Sequence, residues 1–452
     1  MDLTRGSVFR NLIQFAWPYL LACFLQTFYG VADLLIAGLY NGATVTSAIS
    51  IGSQLMHMIT LLLAGFAMAV TVLTGQAFGA GDHGKFRQVA GNAIVGFTWL
   101  ALISCLVALP MTSPLLSILQ TPPEAYGDAH AYTQICFFGI PLIAAFSVIS
   151  AIFRGAGDTR SPMGCVAVAG FFNIVLDFLF MGHFGLGATG AAYATVIAQL
   201  FSVISAGIMI RRIPQIKSLK REDFRVQAPI MKGLLKIGVP TASQDGLIQI
   251  AFLVITGIAN ARGLYVSAAV GIVEKLICFF FLVPTSMLAA VSAIAAQNRG
   301  ASLHERSFEV LRDGLVVVFV YGMVIGIGIQ PIAGWVIALF TNDQAVIVLG
   351  TQYIRTYIFD AAFAGLHFCF SGFFCAYELA RWTFIHNAFS ALCIRIPGTW
   401  LASWLFPATL YEMGAVAPVG SIVSTLICVS VFYHYKKRGF KAASMNRADV
   451  LD

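Results

Sequence analysis

Twelve runs of roughly 18 to 28 predominantly apolar residues, the first near 12–37 and the last near 412–434, divide this chain. Each is long enough to cross about 30 Å of hydrocarbon as an α-helix. A bilayer offers no water to backbone N–H and C=O groups, so such runs satisfy those groups within helices. Hydrophobic residues make up 59% of the 452 positions and charged residues only 10%, which excludes a soluble globular domain. The predicted fold class is an all-α polytopic membrane protein with twelve transmembrane helices.

Basic residues set the orientation, because loops rich in Lys and Arg stay on the cytoplasmic side. With the N-terminus inside, the inner segments hold 23 of the 27 Lys and Arg, eight of them between Arg211 and Lys236 and five between Lys436 and Arg447. The outer loops hold only Arg262, while Lys275, Arg355 and Arg395 fall within helices. Both termini are therefore expected in the cytoplasm. The net charge of +7 follows from topology and calls for no nucleic-acid partner. Arg154 and Arg160 count as an inner loop on this reading, which leaves the first half without an intramembrane Lys or Arg.

The nine cysteines are scattered without ligand spacing, so no metal cluster, disulfide or cofactor is expected. Arg5 and Arg10 precede an apolar run too long for a signal peptide, which stays as helix 1. The sequence lacks an N-x-S/T acceptor and long outer loops, and a bacterial inner membrane is the expected location. A monomer is expected.

The chain also repeats. A shift of 221 residues sets Tyr132 on Tyr353, Ser150 on Ser371, Phe153 on Phe374, Arg160 on Arg381 and Gln76 on Gln297. Six helices plus six, both sets starting inside, means parallel repeats about an axis along the membrane normal. The expected organisation is an N-terminal lobe at 1–210, a basic cytoplasmic linker at 211–236 and a C-terminal lobe at 237–452 that ends in a basic tail. Two pseudo-symmetric six-helix lobes around a central cleft suit alternating access.

Within the first lobe, acids stand out. Asp33 lies inside the apolar run of helix 1, where a carboxylate costs about 3 kcal/mol even on the lenient insertion scale. Counting residues from the helix ends places Asp33, Asp177 of helix 5 and Thr195 of helix 6 at one depth, some 8 to 10 Å below the outer surface. Asn173 precedes Asp177 by four and shares its face. Asp33, Asn173, Asp177 and Thr195 together form a candidate proton or sodium site. Pro18, in the middle of helix 1, lacks an amide hydrogen and should kink that helix. In the second lobe Asp245, Glu274, Lys275, Arg355, Asp360 and Arg395 all fall within helices, where pairing across helix contacts would neutralise them. Glu274 lacks an obvious partner, since Lys275 points elsewhere, and is a candidate contact for a cationic substrate in the cleft.

Three strings sharpen the reading: Phe153-Arg154-Gly155-Ala156-Gly157-Asp158-Thr159-Arg160-Ser161-Pro162, then Asn173-Ile174-Val175-Leu176-Asp177, then Gly187-Ala188-Thr189-Gly190-Ala191-Ala192. Together with Gln26 and Asp33 in helix 1 and Gly75-Gln76 after helix 2, they resemble the multidrug and toxic compound extrusion (MATE) family over nearly the whole chain. That resemblance implies a twelve-helix antiporter exporting amphipathic, often cationic compounds against protons or sodium, and no enzyme. The pattern is closest to the DinF-like branch, which implies coupling at Asp33, Asn173, Asp177 and Thr195, a helix 1 bend at Pro18 and Gln26 near the substrate. A second-lobe acid of the NorM-like branch is absent, because Ile250 stands where it would fall after Pro240.

Three rival readings stand beside this one: a flippase, a disfavoured protease, and a receptor or scaffold, against which the repeat and the buried acids argue for transport. A lipid-linked precursor flippase would share the two lobes but would want cationic residues in the first-lobe cavity. An intramembrane protease is suggested by Gly155-Ala156-Gly157-Asp158, but the same string recurs at Gly79 to Asp82, and glycine caps at helix ends explain both. His57, His367 and His386 lie within spans and could shuttle protons, though lone membrane histidines are more often satisfied by a backbone carbonyl.

Overall fold

A computed structural model describes residues 2–438, and the regular structure among them is entirely helical. Lys441 and Arg447 of the expected basic tail lie outside the described residues. Among the described residues, ten helices have the length and apolar composition to cross a membrane, or eleven when one bent pair is taken as a single span. In chain order they begin with α1 (Val8–Tyr40), α2 (Gly42–Gly79), α3 (His83–Ile118), and the bent pair α4 (Pro123–Phe138 and Ile140–Gly155). Then come α5 (Arg160–His183), α6 (Gly187–Arg212), α7 (Ala228–Ala261), α8 (Leu264–Gly300), α9 (His304–Ala338) and α10 (Gln344–Ala376). The eleventh expected segment, near 384–405, corresponds to α11, built from Arg381–Phe389, a π-helical turn Ser390–Arg395 and Ile396–Leu405. The last helix is α12 (Tyr411–Lys437).

Several helices outrun their apolar stretches, α2 by reaching 38 residues. Helical hydrogen bonding does not stop where hydrocarbon does, and a single residue, Asn41, separates α1 from α2. Breaks fall where the backbone loses a donor. The halves of α4 meet at 45° around Gly139, next to Pro141, which cannot donate to the preceding turn. Helix α1, by contrast, runs unbroken through Pro18. The nearby Phe15 carbonyl, one residue along from the one Pro18 leaves bare, accepts a hydrogen bond from Thr159 Oγ1 at 3.0 Å.

The chain forms two compact units, the first chiefly Ile13–Ala242 and the second chiefly Ser243–Arg299 and the chain from Leu303 on. The basic linker belongs to the first. Asn92 of α3 is fully buried and grips it: Nδ2 donates to the carbonyls of Asp223 (3.3 Å) and Arg225 (3.1 Å), and Oδ1 accepts from Gln227 N (2.7 Å). Each unit repeats one irregularity. Helix α5 ends in the π-turn Phe178–His183, and α11 contains the π-turn Ser390–Arg395.

Helices in lipid lack a hydrophobic force between them and associate by close packing at small residues. In the second unit, α9 presses Gly322 onto the backbone of α10, where an added Cβ would collide with the Ala362 N and Cα atoms. Backbone cannot swing aside as a side-chain tip can. Gly322→Leu is therefore expected to cost about 3 kcal/mol or more and to lower the unfolding temperature of the detergent-purified protein by several degrees. Gly271→Ala, where nothing lies within 4 Å of the new Cβ, should leave that temperature unchanged.

Candidate ion-coupling site

The acids expected to meet do meet, and glycine makes the approach. Tyr29 and Asp33 lie one turn apart on a face of α1 that packs on Gly170, Asn173 and Asp177 of α5. A Cβ on Gly170 would stand 3.2 Å from the Tyr29 ring, so glycine lets that ring sit closer than a larger residue would. One turn on, Asp33 lies near the side chains of Asn173 and Asp177. The register is pinned just beyond. Asn41 Nδ2 reaches the Met181 carbonyl of the π-turn at 3.5 Å, and the Tyr40 ring stands edge-on to Phe178 at 6.2 Å.

Helix α6 returns antiparallel to α5, the two held by Phe172 and Phe201 stacked at 3.9 Å. Gln199 of α6 interacts with Tyr29, as does Gln26. Thr195, one turn before Gln199, is thereby carried toward the level of Asp33.

Burial here is severe. Asp177 is 0% exposed, Asn173 1% and Asp33 6%. Yet Asp33 Oδ1, both oxygens of Asp177, both polar atoms of Asn173 and Thr195 Oγ1 are shut away without a hydrogen-bond partner in the protein. Buried polar atoms are ordinarily satisfied, so a cluster of orphans marks a place built for something not of the chain. Neither carboxylate takes part in an ion pair among the described residues. All of the orphans but Asn173 Nδ2 are hard oxygens, the donor set that suits a proton or a sodium ion carried as cargo.

Two groups near the site escape a reading by depth alone. Tyr132 and Cys136 of α4 feel the Asp33 charge, and the Tyr132 hydroxyl meets Ser53 Oγ of α2 at 3.1 Å. Tyr132 sits in its place because Gly52 leaves room for its ring. Tyr29 and Tyr132 were legible only as membrane aromatics.

The expectation that Arg154 lies in a loop is corrected. Helix α4 runs on to Gly155, so Arg154 lies in its last turn and not in a loop. Its side chain lines an internal cavity of the first unit with Tyr19, Gln26, Tyr29, Ser150 and Gln199. A readable signal existed, since Ser147, Ser150 and Arg154 fall at i, i+3 and i+7 on one helical face.

In the second unit one expected pair forms. Arg395 Nη2 bonds Asp360 Oδ2 at 2.8 Å, and Ser421 Oγ bridges the two, donating to Asp360 Oδ1 at 2.5 Å. His367 and His386 are not the isolated histidines that the sequence suggests. Their rings lie 5.3 Å apart, His367 facing Ser421 at 3.4 Å and His386 held between Ser371 (3.0 Å) and Ser424 (3.4 Å). Glu274 Oε2 accepts from Thr256 Oγ1 of α7 at 3.2 Å, while Oε1 is buried without a partner; Lys275 beside it is exposed. Gln26 belongs to the first unit and Glu274 to the second. Arg262, the one basic residue expected outside, ties the turn after α7 to the turn before α12 through the carbonyls of Phe406 (3.2 Å), Pro407 (2.5 Å) and Thr409 (3.3 Å).

A helical membrane protein whose first unit buries an uncompensated carboxylate pair among orphaned polar atoms has the features of a transporter. The MatE family model matches the chain twice, over residues 18–179 and 240–401, once in each half of the repeat. The chain belongs to the MatE family. Among curated relatives it is 26% identical over 98% of both chains to the probable multidrug resistance protein YpnP of Bacillus subtilis. It is 28% identical to the probable multidrug resistance protein NorM of Thermotoga maritima, over 75% of this chain and 73% of that one. A solved structure of MATE in the straight conformation superposes with a TM-score of 0.90 at 20% identity, covering 98% of each chain, and one in the bent conformation does so equally. These structures support the twelve-helix fold.

Proposed function

We propose that this protein is a cation-coupled antiporter that exports amphipathic, often cationic compounds from a bacterial cell, working as a monomer in the inner membrane with both termini in the cytoplasm. The observation that carries the reading is the buried, uncompensated pair Asp33 and Asp177 with its orphaned neighbours Asn173 and Thr195. Two like charges in a low-dielectric site repel, so the pair wants a cation. A proton or a sodium ion entering the cluster removes the negative charge that favours a cationic substrate, and the two occupy the site in turn. The lobes at 1–210 and 237–452, joined by the linker at 211–236, alternate access to the cleft. Pro18 is the bend point of α1, as in the DinF-like branch, and relatives have been solved both straight and bent. Gln26 and Glu274 serve as substrate contacts. The relatives' names, probable multidrug resistance proteins, support the substrate class.

The test is export of a lipophilic cationic dye into inside-out vesicles driven by a proton gradient alone and then by a sodium gradient alone. Export with one gradient names the ion. Export with neither would remove the antiporter reading and favour a lipid-linked precursor flippase, for which the cavity cation Arg154 speaks.

A further inference from the structure

The first-unit cavity is polar at both ends, and only one end belongs to the coupling site. It runs along α1 from Tyr19 to Tyr29, ten residues or about 15 Å. At the Tyr29 end lie Gln26, Gln199 and, one turn on, the acids. At the Tyr19 end lies Arg154. Its guanidinium stands over the Tyr19 ring at 5.7 Å and makes neither a hydrogen bond nor an ion pair with any described residue. Arg154 is half-buried, and its unpaired guanidinium faces the cavity as a cation open to an anionic partner. Ser150, one turn back on the same face of α4, is 3% exposed and lines the same cavity with a hydroxyl that has no partner. Thr159, nearby, is already spent on the Phe15 carbonyl.

We infer that Arg154 and Ser150 form an anion subsite that seats the carboxylate of an amphipathic substrate, so that the cavity selects compounds bearing an acidic group besides cationic ones. This rests on the export reading above and deepens it by naming a substrate class. A carboxylate accepts two parallel bonds from the planar guanidinium fork, meeting two of its five N–H donors, and a third from the Ser150 hydroxyl. The Tyr19 ring beneath keeps the guanidinium plane in place. Such a substrate brings its own negative charge to one end of the cavity, far enough from Asp33 that the coupling ion is not displaced by it.

The test compares a xanthene dye carrying a free benzoate with the methyl ester of the same dye, by fluorescence anisotropy on the full-length protein in nanodiscs. In Arg154→Gln, affinity for the acid should fall about tenfold or more while affinity for the ester stays unchanged; Arg154→Lys should recover part of the loss. Ser150→Ala should weaken the acid by a smaller factor, also without touching the ester. Equal loss of both dyes, with neither restored in Arg154→Lys, would show a purely structural arginine and overturn the subsite. So would unchanged binding of the acid. Displacement of the acid by phosphatidylglycerol, dependent on Arg154, would assign the anion to a lipid phosphate and overturn the carboxylate substrate. Ester export by an imposed gradient, measured on the same variants, reports separately on the antiporter reading.

Discussion

Asp33→Asn is expected to abolish gradient-driven export while leaving the protein folded and inserted. Asn fills nearly the same volume, and in this position it adds no charge, so the packing of Tyr29 on Gly170 and of α1 on α5 survives. What disappears is one of the two carboxylates that make the pocket demand a cation. Linked sites commonly share 1–3 kcal/mol of coupling free energy, equivalent to about 5–150-fold in affinity. Without Asp33 that coupling has no carrier, and dye accumulation should fall to the passive leak under any ion gradient. Asp177→Asn should behave alike, and the double variant should be no worse than either single one, as befits groups that act as a unit. Expression and thermal unfolding in detergent serve as the controls. Export retained at the wild-type rate by Asp33→Asn would remove the pair from the mechanism.

The second large effect is on stability. Asp360 is completely buried, and its charge is balanced by Arg395 at 2.8 Å with Ser421 between them. Arg395→Met strips the cation and strands a carboxylate among helices α10, α11 and α12, a loss of about 3–5 kcal/mol for a buried pair broken on one side. The unfolding temperature should drop sharply. Asp360→Leu combined with Arg395→Met removes both charges and should restore most of the stability, because an apolar pair of similar volume costs little in the interior. A single and a double variant of equal stability would show that the pair does not hold the helices together. If export stays ion-driven in the double variant, the pair serves architecture and the coupling lies in the first unit.

The fold was legible because lipid makes sequence simple. Apolar run length gave the spans, and the spacing of Asn173 and Asp177 placed two polar groups on one face. Counting residues from helix ends brought Asp33 to the same level, which works because each span begins near a known surface. Length failed where a helix is not a plain α-helix. The bend at Gly139 in α4 and the π-turn inside α11 follow from local backbone chemistry that hydropathy does not register. The misplacement of Arg154 has the same root, since an arginine beside glycines at the end of an apolar run reads as loop. Only the extension of α4 to Gly155 turns it inward. The histidine pair was equally hidden, because His367 and His386 meet through tertiary packing of α10 on α11. Tyr29 and Tyr132 escaped because an aromatic in a membrane span is ordinary until tertiary packing brings it near the acid cluster.

Ion release on substrate binding tests most directly whether the Asp33 cluster holds substrate and ion in turn. Purified protein in weakly buffered detergent solution, with a pH indicator and a sodium-sensitive dye, is mixed with a saturating lipophilic cation. Prompt release on the order of one proton or one sodium ion per bound substrate is predicted for the wild type, with none from Asp33→Asn although the substrate still binds. Binding without release in the wild type, or release undiminished in Asp33→Asn, would contradict exclusion at this site.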